Sequence, residues 1–338
     1  MKIKAILLLF VCCFTTLFGH SLVTVYIGDN LPPYTESALA QARLFNPDCP
    51  IYLLANAKAL DKVDFEALGI RCIPLESLER SPMHAKFKQN FKGFRRIHHP
   101  FWTLTTERFF YLEEFATGKN LKDIFHIELD NMIYVDLNEL IPVLHRYYPE
   151  AAITFDHDAR AIAGFIYFAN HTALSNMVAF MAREAGRGMN DMRSIAEWSL
   201  KSKKRKTHFL PVMAESSIKG KRVLIPRREG GRGKQPQNYI AHINDFEAIF
   251  DPAPIGQWFL GQDPIHGITG PGTHINPYSV VEAHRMFYVW KEDEQGRSVP
   301  FVKDNGKLRR INNLHVHSKM LEKVSSLIPA DELNTQLP

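Results

Sequence analysis

The chain has 338 residues, 45% hydrophobic and 11% aromatic, and a net charge of +5. That is enough apolar material to bury the core of one large or two small domains, which excludes a disordered chain. No GxGxxG follows the first strand and no GxxxxGK[ST] occurs anywhere, so the dinucleotide fingerprint and the P-loop are excluded too.

The chain opens with "MKIKAILLLFVCCFTTLFGHS". Two lysines precede an apolar run from Ala5 to Phe18, too short for the ~20 residues of a membrane span. Small residues Gly19 and Ser21 follow. Residues 1–21 read as a secretory signal peptide, with a short signal anchor as the alternative. The protein is therefore expected to be exported, or anchored to a membrane at its N-terminus. Cys12 and Cys13 leave with that segment; Cys49 and Cys72 remain, either as one disulfide or as two free thiols.

Alternation of Val23, Val25 and Ile27 with Thr24 and Tyr26 predicts a strand over 22–28. "TESALAQARLF" predicts a helix capped by Thr35, and "IYLLAN" the next strand. "DKVDFEALGI" predicts a short helix ending at Gly69, and "RCIPL" a third strand. Strand–helix–strand at this spacing means parallel βαβ units, a Rossmann-like N-terminal half. Residues 81–100 read as a basic, aromatic connection. "FWTLTTERFFYLEEFATG" is a helix whose Phe109, Leu112 and Ala116 share a face.

Next comes "FHIELDNMIYVDL" (125–137). Phe125 and Ile127 suit a strand buried on both faces. It runs into two carboxylates, Glu128 and Asp130, at the edge where α/β sheets bind ligands. Two such carboxylates repel unless a cation lies between them, and a hard divalent ion, Mn²⁺ or Mg²⁺, meets that need. The segment beyond predicts a helix with Pro142 in its first turn. Strands over 151–155 and 163–169, a helix, and a further helix from Asn190 or Asp191 follow.

Residues 201–234 hold twelve Lys or Arg against Glu215 and Glu229 alone. This stretch is a candidate surface for an anionic partner; no nucleic-acid motif accompanies it, so nucleic acid is not expected. "FDPAPIGQWFLGQDP" (250–264) is mixed, and the final third is rich in Gly, Pro, Asn and short aromatic strands. "NNLHVHSK" offers His315 and His317, which on a strand would point to one face. Imidazole favours Mn²⁺ over Mg²⁺. No linker divides the chain: one domain over 22–325 is expected, with a tail over 326–338.

"HIELDNMIY" resembles the hydrophobic run, acid-x-Asp, hydrophobic run of GT-A nucleotide-sugar glycosyltransferases, with glutamate in place of the first aspartate. "FDPAPIGQWFLGQDP" paired with a terminal "NLHVHSK" also resembles bacterial and viral proteins of that type. The resemblance runs from Leu22 to about Leu321. It implies an α/β, GT-A-like single domain with a central mixed, mostly parallel sheet flanked by helices. It implies a metal at Asp130, with Glu128, His315 and His317 as further candidates. Arg108, on the helix before the motif, and Lys319 would serve the nucleotide diphosphate, and Tyr26, Ile27 and Gly28 would lie under the base. The donor expected is a UDP-sugar and the acceptor a glycan, lipid or protein. Asp191 is the first candidate for general base, with Asp156, Asp158 and Asp263 as others. Trp102, Trp258 and Phe259 are candidate sugar platforms. Inversion and retention stay open. So do two other readings: a non-catalytic carbohydrate-binding protein, or a metal-dependent nucleotide-sugar hydrolase.

Overall fold

The computed structural model describes residues 19–91, 100–202, 208–218, 236–262, 270–273 and 279–338. Alternating apolar segments build a six-stranded sheet. Its strands are β1 (Ser21–Tyr26), β2 (Ile51–Ala55), β3 (Ile70–Pro74), β4 (Lys122–Ile127), β6 (Ala151–His157) and β7 (Arg160–Asn170), with β5 (Asn131–Ile133) outside it. The order is β3-β2-β1-β4-β7-β6. β1 to β4 run parallel to one another, and β7 pairs antiparallel with both β4 and β6. The fold is thus an α/β one with a central, mostly parallel sheet, as the sequence implies.

Side chains alternate between two cores, as the pleat dictates. Leu22, Leu53, Phe125 and Ile127 enter one; Val23, Leu54 and Ile124 enter the other. α1 (Thr35–Phe45) contributes to both. Phe109, Phe110, Leu112 and Phe115 of α4 (Pro100–Gly118) cover one face. Leu137, Leu140 and Leu144 of α5 (Leu137–Tyr147) cover the other. α6 (His171–Glu184) and α7 (Asp191–Lys201) pack beside α4. Among the described residues no helix is long and apolar enough to cross a membrane.

The C-terminal third adds β8 (Ala248–Ile249), β9 (Tyr288–Glu292), β10 (Ser298–Asp304) and β11 (Lys307–Ile311) as a four-stranded sheet, and β12 (Asn313–His315) paired antiparallel with β5. α8 (Ile243–Phe246), α9 (Pro254–Leu260) and α10 (Ala330–Thr335) complete it. Within the segment read as a tail, Leu333 is buried and Asn334 pins α10 to Trp290 by two hydrogen bonds of 2.8 and 3.0 Å. Within the segment read as a signal peptide, Ser21 already pairs with Ile124.

Local chemistry shifts several predicted elements. The helix expected over "DKVDFEALGI" (61–70) is only a short 3-10 turn, Glu66–Leu68; the helical turn here, α2 (Ala57–Leu60), precedes the segment. Asp64 accepts from the Glu66 amide at 2.9 Å, an Asx contact that competes with helix continuation. The 81–100 connection contains α3 (Pro82–Asn90): Ser81 caps it by accepting from the His84 amide, and Pro82 starts it. α5 starts at Leu137, capped by Asp136, so Pro142 lies in its interior rather than its first turn. Thr35 is buried and makes no cap; Tyr34 precedes α1 without a side-chain cap bond. Cys49 and Cys72 are free thiols, the first buried and the second exposed. Phe259 lies in the core, edge-on to Tyr288, rather than forming a sugar platform.

Candidate active site

β1 and β4 are neighbours, yet the chain leaves β1 toward β2 while the other neighbour of β4 is β7. In open α/β sheets, ligands bind outside the carboxyl ends of the strands at such a switch in strand order. β4 ends at Ile127, and the next three residues turn into β5. The Asn131 amide donates to the Glu128 carbonyl at 3.1 Å, and the Glu128 amide to the Gly164 carbonyl at 3.2 Å. Pairing of β12 with β5 sets His315 opposite Asn131. The Val316 amide then donates to the Asp130 carbonyl at 2.7 Å. The far end of the chain is thus stitched directly to the carboxylate turn.

One ligand atom each from Glu128, Asp130 and His315 lies within 4.8 Å of the other two. His315 Nε2 is 3.3 Å from Asp130 Oδ2 and 3.4 Å from Glu128 Oε2. Its other ring nitrogen, Nδ1, lies 3.3 Å from the Pro252 carbonyl and donates to it, which turns Nε2 toward the carboxylates. Lys319 Nζ bonds to Asp130 Oδ2. Burial works against an imidazolium here, but Asp130 and then Glu128 outweigh it and carry the His315 pKa to about 9. Burial likewise works against the Asp130 carboxylate. Lys319 and His315 overcome that and hold it well below the usual range.

The two oxygens of Glu128 have different partners. Oε1 pairs with Arg108 NH1, while Oε2 faces His315. Arg108, buried on α4, also gives NH2 to Asp191 Oδ2 at 2.8 Å. Thr105 donates to Asp191 Oδ1 at 3.3 Å. Asn190 is the N-cap of α7, accepting from the Arg193 amide at 3.0 Å, which leaves Asp191 in the first turn facing Arg108. Burial raises the Asp191 pKa, and Arg108 opposes the rise.

At the end of β1, Tyr26, Ile27 and Gly28 are half-buried, and the Gly28 amide donates to Asn56 Oδ1 at 2.8 Å. Tyr34 was not anticipated in this site. Lys319 Nζ sits 5.8 Å from its ring centre. Burial and the nearby Asp130 carboxylate push its phenol up to about 12. The signal available in sequence was the Pro32-Pro33 pair, which precedes Tyr34 directly before α1.

Not every candidate converges. The same-face reading of His315 and His317 requires a strand through both, but β12 stops at His315. His317 keeps ring contact with His315 at 4.6 Å between centres, while its Nδ1 meets Gln257 Nε2 at 3.2 Å. Asp156 pairs with Arg160 across the β6–β7 turn, and Asp158 accepts from the Tyr239 hydroxyl. Asp263 and most of the basic stretch lie outside the described residues. Asp251, Gly164 and Gly256 support the site and were not singled out from sequence. A Cβ on Gly164 would come within 2.7 Å of both Asn131 Nδ2 and His315 Nδ1, so only glycine lets β7 approach this closely.

No known family profile matches the chain, and no curated protein does. Among solved structures it is similar to mouse xyloside xylosyltransferase 1 in its apo form, at 10% identity and a TM-score of 0.39, over 56% of this chain and 83% of that one. It is similar to the glycosyltransferase GlyE of Streptococcus pneumoniae TIGR4, at 12% identity and a TM-score of 0.37, over 56% of this chain and 44% of that one. A third is a putative glucose-1-phosphate thymidylyltransferase from Bacillus anthracis, at 11% identity and a TM-score of 0.32, over 54% of this chain and 83% of that one.

Proposed function

We propose that the protein is a metal-dependent glycosyltransferase that takes a sugar from a nucleotide diphosphate, with UDP-sugar as the donor class. The observation that carries this reading is the convergence of Glu128, Asp130 and His315 beyond the carboxyl end of β4, with Lys319 beside them. Two carboxylates and an imidazole whose Nδ1 is already committed to a carbonyl suit a borderline-hard cation such as Mn²⁺. When bound, that cation neutralises the charge that builds on a departing diphosphate.

The chain's own residues supply the rest. Arg108 fixes one oxygen of Glu128 and so limits how that carboxylate can turn. Lys319, paired with Asp130, is a point charge at the same edge that could meet a phosphate. Tyr26 and Tyr34 offer ring surface along the β1 rim for a base and ribose. Asp191 serves in this reading chiefly as the anchor of Arg108, because both of its oxygens are engaged. The acceptor is a hydroxyl of a glycan, lipid or protein, and the basic stretch over 201–234 would favour an anionic surface. The apolar run before the first strand is proposed to export or anchor the protein.

The test is donor turnover by the full chain with Mn²⁺, with and without a panel of acceptor glycans. Release of UDP that depends on the acceptor is expected. Release to water alone would make the protein a hydrolase, and glycan binding without any release would make it a binding protein.

A further inference from the structure

The segment "FDPAPIG" (250–256), whose Pro252 carbonyl already orients the His315 ring, closes around that residue. Asp251 is fully buried at its centre. Its Oδ1 accepts from the amides of Ala253 at 2.9 Å and Ile255 at 3.0 Å. Its Oδ2 accepts from the amides of Gly256 at 2.8 Å and of His315 itself at 3.1 Å. One carboxylate therefore ties the first turn of α9 to the backbone of the imidazole residue.

Three further residues complete the clasp. The next carbonyl, Pro252, receives the His315 ring Nδ1. Asn313 Oδ1 accepts from the Asp251 amide at 3.1 Å, while Asn313 Nδ2 donates to the Asp251 carbonyl at 2.9 Å and to Asn131 Oδ1 at 2.8 Å. Gly256 lies so close that a Cβ there would come within 2.2 Å of the His315 carbonyl oxygen. His315 is thus held at its amide, its ring and its carbonyl by one short segment.

We propose that Asp251 is the positioning residue for the imidazole ligand: by gripping the His315 amide and the start of α9 together, it aims His315 Nε2 at Asp130 and Glu128. This rests on the metal-site reading above. An asparagine keeps the shape but offers one acceptor oxygen in place of two. Its NH₂ would face amide donors on one side, which frees either His315 or α9.

The test is a double-mutant cycle on the full chain, reading Mn²⁺ affinity by titration with Mn²⁺ alone. Asp251→Asn should weaken Mn²⁺ about 10–100-fold, the usual cost of losing a ligand's outer partner, and His315→Ala, which removes the ligand itself, at least as much. In the His315→Ala background, Asp251→Asn should add less than about a twofold loss, because residues that act as a unit are not additive. Equal losses in both backgrounds, or no loss in either, would overturn the inference. Should Asp251→Asn fail to fold, Asp251→Ser keeps one acceptor for the α9 amides. Loss of folded structure in both, by circular dichroism, would make Asp251 a folding residue and overturn the inference too. If the wild-type chain binds no Mn²⁺, or binds it equally after Asp130→Asn, the metal reading itself has failed.

Discussion

Asp130→Asn is expected to abolish metal-dependent nucleotide binding while leaving the fold in place. Asp130 is the carboxylate on which the site converges: Lys319 Nζ and His315 Nε2 both reach its Oδ2, and its backbone carbonyl receives the Val316 amide. Asparagine preserves that backbone contact and the side-chain shape. It removes the charge that balances Lys319, His315 and any bound cation. Loss of that charge is expected to weaken the bound cation by at least about 100-fold, or about 2.8 kcal/mol. Thermal shift reads this directly. Mn²⁺ with UDP at about 100 times the dissociation constant should stabilise the wild-type chain by about 2.7 kcal/mol, a rise of several degrees in Tm. The variant should show no such rise. A shift of the same size in both proteins would place the metal and nucleotide elsewhere.

The second large effect lies away from the site. His84 of α3 is fully buried between two glutamates of α4, with Nε2 3.0 Å from Glu107 and Nδ1 2.9 Å from Glu114. Lys88 joins Glu107 at 2.8 Å. His84→Ala would strand the glutamates without their buried cation and is expected to cost about 3–5 kcal/mol in urea unfolding near pH 6. The pH dependence follows from the same contacts. Burial disfavours the charged ring, but Glu107 and Glu114 outweigh it, and the His84 pKa is raised in the folded protein. A group charged more readily when folded adds stability that is complete below its unfolded value of ~6.5. That stability fades as pH rises through the higher folded value, at up to about 1.4 kcal/mol per unit. Relative to the wild type, the variant's deficit should therefore shrink as pH climbs above about 6.5. A deficit constant across that range would mean that His84 is neutral in the fold. The position matters for function, because α4 also carries Arg108 directly after Glu107.

Much of the sheet can be read from residue order. Leu22, Val23, Val25, Phe125 and Ile127 announce period-two burial on two faces, and the acid pair beyond Ile127 marks the carboxyl edge. His315 is legible because a histidine near the chain's end can return to that edge. What holds it there is not legible. Gly164, Gly256 and Asp251 act through contacts between segments dozens of residues apart, and nothing local distinguishes a glycine that admits an imidazole from one in a loop. Asp191 shows the reverse difficulty: its place at a helix start is visible in sequence, its pairing with Arg108 from α4 is not. The helix α3 was hidden by basic composition, although Ser81-Pro82 carried its start signal. For His317, the spacing was right for a strand that ends two residues too early.

The central claim is that His315 joins Asp130 and Glu128 on one divalent cation. Pulsed electron paramagnetic resonance of Mn²⁺ on the full chain tests it most directly. An imidazole nitrogen coupling should appear in the wild-type spectrum, persist in His317→Ala, and vanish in His315→Ala. Bound Mn²⁺ whose spectrum carries no nitrogen coupling, or a coupling that survives His315→Ala, would contradict it.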